Sequence, residues 1–194
     1  MIDVDLNSAS IPLSWNELFG RRAPATVEIG TGKGKFLNEL ALAHPDENIL
    51  GVERSAKYHR LCCHRAERRG LTNVRLLRTT GEDLLMRLLP PQSVATLFVL
   101  FPDPWPKKRH HKRRFMQPET MPLLHRALVP GGRLMVKSDH DGYAEVIEEV
   151  LRGADGFDLL DAQELFAELP VTGFEQKYLV EGRSIHSWAL RSIE

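Results

Sequence analysis

Apolar positions along this 194-residue chain follow two alternating periods. Short apolar runs at residues 25–30, 48–53, 73–78 and 94–101 predict buried strands, and the last, the most apolar, predicts a central place in a parallel sheet. Helical spacing separates them. Phe36, Leu37, Leu40 and Ala41 share one face, with Pro45 just past the end of that helix. Ser55 is placed to cap a helix that runs to Arg69 and closes at Gly70. Residues 82–89 predict a short helix, 118–128 another, and 132–137 a further strand. Tyr143, Val146, Ile147, Val150 and Leu151 mark another amphipathic helix, and residues 184–190 alternate like a half-exposed terminal strand. Strands alternating with helices predict an α/β fold, an open sheet of parallel βαβ units. With no repeat and no linker, the expectation is one domain over residues 24–194. Residues 1–23 are an N-terminal appendage in which Ser14-x-x-Glu17 forms a plausible capping box.

Composition narrows the class. A 42% hydrophobic and 27% charged chain with 14 Gly and 12 Pro is neither disordered nor fibrous. The two cysteines, Cys62 and Cys63, are adjacent and unsuited to an internal disulfide, which points to a reducing compartment. An acidic amino terminus with no apolar stretch behind it shows no signal peptide, and no run is long enough to span a bilayer. A cytoplasmic protein without a membrane partner is the expectation.

The formal net charge of +0 conceals segregation. Residues 54–114 hold 15 Lys/Arg against 4 Asp/Glu, and residues 145–181 hold 10 Asp/Glu against 2 Lys/Arg. Six cations crowd into residues 107–114, namely Lys107, Lys108, Arg109, Lys112, Arg113 and Arg114. Such a cluster is a phosphate footprint or, alternatively, a solvated surface loop or sorting signal.

The first strand leads into Glu28-Ile29-Gly30-Thr31-Gly32-Lys33-Gly34. In an open α/β sheet the ligand crevice lies at the carboxyl ends of the strands, where glycines let the backbone approach a ligand. Glu53 ends the second strand, 23 residues after Gly30, where a carboxylate can accept both hydroxyl hydrogens of a ribose. The alternative is a tight turn followed by a surface glutamate. The dinucleotide fingerprint G-x-G-x-x-G is not matched, because the third glycine comes one position early. The E-x-G-x-G-x-G spacing resembles motif I of class I S-adenosylmethionine-dependent methyltransferases.

At the end of the fourth strand, Pro102 and Pro104 hold Asp103 stiffly, as suits either a preorganised catalytic group or a local cap in a rigid turn. The run from Phe101-Pro102-Asp103-Pro104-Trp105-Pro106 into the six cations closely resembles a signature of the bacterial tRNA (guanine-N7-)-methyltransferases. That family's Glu-Ile-Gly turn, its Gly-x-Glu and its C-terminal Thr-x-Phe-Glu (Thr172-Gly173-Phe174-Glu175) also appear in order.

The resemblance implies a single-domain Rossmann-like class I methyltransferase fold, with about seven mostly parallel strands and the last antiparallel. It implies S-adenosyl-L-methionine as cofactor, tRNA as partner and methylation of N7 of a variable-loop guanine. Residue by residue, Glu28 would face the methionine end of the cofactor, Gly30, Gly32 and Gly34 would form the turn, and Glu53 would hold the ribose. Asp103 would sit at the reaction centre, touching cofactor and base. Lys107, Asp139, Thr172, Gly173, Phe174 and Glu175 would contact substrate, with Lys108, Arg109, Lys112, Arg113 and Arg114 as candidate backbone contacts. Two departures stand out. Pro106 occupies the place where the family commonly has histidine. The family's third cofactor acid falls opposite Thr80, with Gly81, Glu82 and Asp83 as substitutes.

No metal is expected. His59, Cys62 and Cys63 share a helical turn without the second ligand pair that zinc sites show, and Asp139-His140-Asp141 suits substrate contact better. His186 and Trp188 read as structural or rim positions, and Trp105 as either a base-stacking or a loop-packing residue. Two other functions compete. Asp103-Pro104-Trp105 loosely resembles the Asp/Asn-Pro-Pro-aromatic loop of exocyclic-amine methylation but lacks its second proline after the acid. A non-catalytic RNA-binding module fits less well with intact Glu28, Glu53 and Asp103. Both monomer and homodimer remain open.

Overall fold

The apolar runs assemble into one seven-stranded sheet in the computed structural model, which describes residues 2–194. In chain order the strands are β1 (Ala25–Ile29), β2 (Asn48–Val52), β3 (Val74–Leu77), β4 (Val94–Leu100), β5 (Leu128–Ser138), β6 (Phe157–Leu160) and β7 (His186–Ser192). Their spatial order is β3-β2-β1-β4-β5-β7-β6. The first five run parallel, and β7 is antiparallel to both of its neighbours. Every residue of β1 and β2 is buried, which explains their mostly apolar character in a sheet covered on both faces, Thr26, Glu28 and Asn48 being buried polar exceptions. This is the sheet expected of a class I methyltransferase.

Alternate side chains point to two cores. One face, with Val27, Leu50, Leu97 and Val136, is covered by α1 (Trp15–Phe19), by Leu84, Leu85 and Leu88 of the turn that follows α4 (Gly81–Asp83), and by α5 (Met121–Ala127) and α6 (Asp141–Arg152). The other, with Ile49, Leu76, Phe98 and Met135, is covered by α2 (Lys35–Ala43), α3 (Ala56–Arg68) and α7 (Ala162–Ala167). An eighth helix, α8 (Gly173–Val180), reaches toward the β1–α2 turn. Among the described residues, no helix is long and apolar enough to cross a membrane.

Several predicted boundaries shift. The helix expected at 82–89 is a single α-turn, α4, that widens into a π-helical turn over Leu84–Leu88. The 118–128 helix begins as a 3-10 turn (Pro118–Thr120) and ends at Ala127, because Leu128 already pairs with Val94. That pairing lengthens β5 beyond 132–137, with a register shift opposite residues 94–96. β7 lies two residues later than predicted at its carboxyl end, and β6, α7 and α8 were not predicted.

Of the segment 1–23, Met1 lies outside the described residues. Val4 N–H donates to Leu76 O (2.9 Å) and Leu76 N–H to Ile2 O (2.8 Å), adding a parallel bridge beside β3. Leu13 is buried in the first core. Ser14 caps α1 by accepting from Glu17 N–H at 3.3 Å, whereas the Glu17 carboxylate accepts from Ser10 Oγ (2.8 Å). Only half of the predicted capping box is therefore reciprocal.

Candidate active site

The strand order turns around between β1 and β4, and a cleft opens there at the carboxyl ends of the strands. Its volume is about 320 Å³. Ile29, Val52, Val99, Leu100 and Phe115 provide apolar walls, and Gly30, Gly32, Glu53, Thr80, Gly81, Glu82 and Asp103 bring polar groups to it. Most of the predicted cofactor residues thus converge although they come from four separate strand ends.

Glu53 is the best-ordered acid of the cleft. Its Oε2 accepts from Gly32 N–H (2.8 Å) and its Oε1 from Ser55 N–H (2.7 Å), which ties the end of β2 to the β1 turn. Each carboxylate oxygen retains a lone pair, so the group can still receive a vicinal diol. The turn leaves room in front: a Cβ on Gly30, at φ +85°, would meet nothing within 4 Å. An apolar slot, an anchored diol acceptor and an open glycine cradle fit an adenosine-bearing cofactor.

Gly34, predicted to share that role, does not line the cleft. It precedes α2 with φ +73°, and a Cβ there would stand 2.2 Å from Cys62 Sγ. Its small size lets α3 pack against the turn. At the end of β3, Thr80, Gly81 and Glu82 face the cleft, whereas Asp83 does not. Asp83 is held by Thr79 Oγ1 (2.7 Å) and Arg87 Nε (2.9 Å), which also keep its carboxyl below the usual range.

Glu28 is also absent from the cleft lining. It is buried beneath the turn, and its Oε2 has no hydrogen-bond partner among the described residues. Burial, followed by the nearby Glu53 charge, raises it from 4.5 to about 8, with a Leu37 backbone hydrogen bond opposing the shift. The folded chain therefore keeps a proton that the unfolded chain releases near 4.5. Its stability should fall as pH rises from about 4.5 to about 8 and level off above that. We expect the ligand-free protein to lose about 2–4 °C of Tm for each kcal/mol involved. Thermal scans of Glu28→Gln should show a flatter pH dependence across this window; an unaltered slope would assign the effect to another group.

The loop after β4 is stiff. Phe101 (φ 55°) and Trp105 (φ 44°) take left-handed conformations on either side of Pro102-Asp103-Pro104. Such conformations cost about 1–3 kcal/mol each in non-glycine residues and persist only where surroundings impose them. Here Phe101 N–H donates to Lys137 O (2.9 Å) and Arg114 Nε donates to Pro104 O (2.8 Å). Asp103 itself stays exposed at the cleft and meets Arg54 Nη2 at 3.3 Å. Both partners are more than 60% exposed, so the pair contributes at most about 1 kcal/mol.

The cationic run divides in two. Lys107, Lys108, Arg109, Lys112 and Arg113 are exposed on or beside a 3-10 helix (Lys108–Arg113). Arg114, expected to contact RNA, is instead buried, with its guanidinium 4.7 Å above the Tyr143 ring and bonded to Pro104 O. It anchors the loop. Trp105 packs within this loop, beneath Arg113 (5.0 Å) and edge-on to His110, while also lining the cleft.

The predicted Thr172-Gly173-Phe174-Glu175 segment starts α8. Thr172 caps it by accepting from Glu175 N–H (2.9 Å), and the Glu175 carboxylate pairs with the buried Lys137 at 2.5 Å. Lys35 Nζ donates to Val171 O (2.9 Å). Only Phe174 of this group lines the cleft, half-exposed and stacked with Tyr178 (5.9 Å) beside Phe101. Asp139, just past β5, is engaged by Arg183 at 2.7 Å. Sequence reasoning missed Arg54, Tyr58, Phe101 and Tyr178. Arg54 is within reach of sequence reasoning, as the residue directly after Glu53.

One potential ligand cluster exists among the described residues, Asp3, His59 and Cys63, away from the cleft. The His59–Asp3 pair (3.3 Å) joins the N-terminal segment to α3, and burial pushes the Cys63 thiol up to about 11.

A family model described as "Putative methyltransferase" matches residues 22–188. Among curated proteins, a tRNA (guanine-N(7)-)-methyltransferase of Halorhodospira halophila is 41% identical over 90% of this chain and 77% of its own length. Its namesake from Nocardia farcinica is 40% identical over 94% of this chain and 72% of its own. That of Chromohalobacter salexigens is 43% identical over 74% of this chain, but the match spans only 58% of the relative. Among solved structures, the 16S rRNA methyltransferase KamB superposes with TM-score 0.63 at 19% identity, over 92% of this chain and 91% of that one. A SAM-dependent methyltransferase from Aquifex aeolicus gives 0.61 at 14%, over 92% and 87%. These structures share the fold.

Proposed function

Because the chain belongs to that methyltransferase family, we propose that it transfers a methyl group from S-adenosyl-L-methionine to N7 of a guanine in the variable loop of tRNA, forming 7-methylguanosine. The observation that carries this reading is the strained double-proline loop, which holds Asp103 at the mouth of the cleft and continues into five exposed cations.

S-adenosyl-L-methionine supplies a methyl already activated by its sulfonium. Glu53 would accept from the ribose hydroxyls, and the Gly32 and Ser55 N–H groups keep its carboxylate aimed for that. Gly30 and Gly32 would let the backbone approach the cofactor, and Thr80, Gly81 and Glu82, which line the cleft, would flank its adenine. Glu28, buried beneath the turn with its Oε2 unpartnered among the described residues, would face the methionine end.

Guanine N7 bears a lone pair and no proton, so no general base is needed, and the chain's task is alignment and control of charge. Asp103 accepts from the purine's N1–H and exocyclic amine, which directs the opposite edge, N7, inward. The same carboxylate opposes the positive charge that the ring gains. A-form RNA hides its major-groove edges, so the guanine must come from a loop or be displaced, and exposed Phe174 offers it a stacking surface. Lys107, Lys108, Arg109, Lys112 and Arg113 hold phosphates, whereas Asp139, Thr172 and Glu175 position α8 through the contacts described above.

Incubating the protein with labelled S-adenosyl-L-methionine and unmodified tRNA should yield 7-methylguanine on nucleoside analysis. A methyl found on an exocyclic amine would overturn the N7 assignment, and tight tRNA binding without transfer would favour a binding module.

A further inference from the structure

Helix α3 buries His59, Cys62, Cys63 and Ala66 and turns a strongly cationic face outward. Lys57, Arg60, His64, Arg65, Arg68 and Arg69 are all exposed there, and Glu67 is the one acid on the helix. Among the described residues, Lys57, Arg60, Arg68 and Arg69 form no ion pair. Lys57, Arg60, His64 and Arg68 follow one another at three- and four-residue spacing, a stripe about 16 Å long.

Helix stability does not account for this face. Cations in the last turn complement the helix dipole, but Lys57 and Arg60 sit toward the amino end, where a cation is unfavourable. Arg65 and Arg69 are like charges four residues apart, which is also destabilising. A hollow of about 420 Å³ lies between α2 and α3, lined by Lys35, Asn38, Glu39, Arg65, Arg68 and Arg69. Lys35 balances Glu39 at 3.6 Å, and among the described residues Arg65, Arg68 and Arg69 form no ion pair, Arg65 donating only to Lys33 O (2.9 Å). Asn38, 1% exposed, also lines it, and its amide oxygen has no partner among the described residues.

We propose that this face of α3, with the hollow beside it, is a second docking track for the phosphate–ribose backbone of the RNA substrate, separate from the cationic loop at 107–113. It rests on the tRNA reading above. Guanidinium groups bind phosphate in bidentate fashion, and an unpartnered acceptor among them suits a ribose hydroxyl, which donates. The track starts at the cleft rim, because Ser55 and Tyr58 at the amino end of α3 line the cleft. It offers charge over a length in which a nucleic-acid strand presents several phosphates.

The test is the charge reversal Arg60→Glu/Arg68→Glu in the full chain, with affinity for unmodified tRNA measured by fluorescence anisotropy over a range of salt. Kd and KM for tRNA should rise at least about tenfold, and the slope of log affinity against log salt should become shallower by about two. At saturating tRNA, kcat should stay within about twofold, and S-adenosyl-L-methionine should bind as before. Unchanged tRNA affinity and salt slope overturn the track. So does an equal loss from Arg152→Glu on α6, which would reduce the effect to net charge. Should the double glutamate fail to fold, Arg60→Gln/Arg68→Gln decides by the same criteria. A wild-type chain that binds tRNA yet transfers no methyl overturns the functional reading alone, since the affinity comparison still judges the track.

Discussion

Replacing Asp103 with alanine should lower the rate of methyl transfer to tRNA by about 10²–10³-fold, the usual loss on removing one preorganised electrostatic group. Its folding stability should hardly change. The side chain is 68% exposed and its one ion pair, with Arg54, is a surface pair, so the expected loss lies within about 0.5 kcal/mol. Affinity for tRNA should stay within about threefold because the cations at 107–113 are untouched. Single-turnover transfer, anisotropy and thermal melts check the three limbs. Full retained activity would remove Asp103 from the reaction centre. Asp103→Asn removes the charge but also sets an amide NH2 against one of the two purine donors, so its informative outcome is a rate well above that of alanine, which would assign the effect to the remaining hydrogen bond and not to the negative charge.

Gly34→Ala should be the most destabilising single methyl added to this chain's first turn. The position needs φ +73°, which costs an alanine about 1–2 kcal/mol. The new Cβ would also overlap Cys62 Sγ at 2.2 Å and crowd the α3 backbone at Cys62 Cα, 3.3 Å away. Overpacking of this kind typically adds about 1–3 kcal/mol. A total of roughly 2–5 kcal/mol corresponds to a fall in Tm on the order of 10 °C for a chain of this size. Adding Cys62→Ala removes the sulfur overlap but leaves the backbone strain, so the double variant should recover about half. Full recovery would show that φ carries no cost here, and no recovery would show that the clash with sulfur is relieved by local movement.

The parts of the molecule legible in the sequence are those whose causes are local. β1, β2 and β4 are mostly apolar because both faces of the sheet are covered, with Thr26, Glu28, Asn48 and Thr96 as the polar exceptions. α3 is framed by Ser55, which accepts from Tyr58 N–H, and by left-handed Gly70. Glu53 was readable because its partners, the glycine turn and Ser55, are defined by position along the strands. What escaped has distant causes. β6 is a four-residue stretch with Asp158 and Leu159 exposed, and it is a strand only because it pairs with β7. α8 buries no side chain, so no periodic pattern announces it; it is held by Lys137 and the aromatic contacts of Phe174 and Tyr178. Within the cationic run, composition makes Arg113 and Arg114 equivalent. Tyr143, on α6, separates them by drawing one inward. The Arg54–Asp103 pair likewise joins positions 49 residues apart.

The placement of β7 between β5 and β6 also bears on how the chain is made. β6 leaves the ribosome before the strand that fastens it to the sheet, and the outer edge of β5 stays unpaired until residues 186–192 have followed. A nascent chain at that stage carries an open, largely apolar edge, the kind of surface that chaperones bind and that pairs wrongly with neighbouring chains. The outer edge of β5 and the inner edge of β6 are thus closed by one and the same strand, so the sheet is a protected unit only with that strand in the gap.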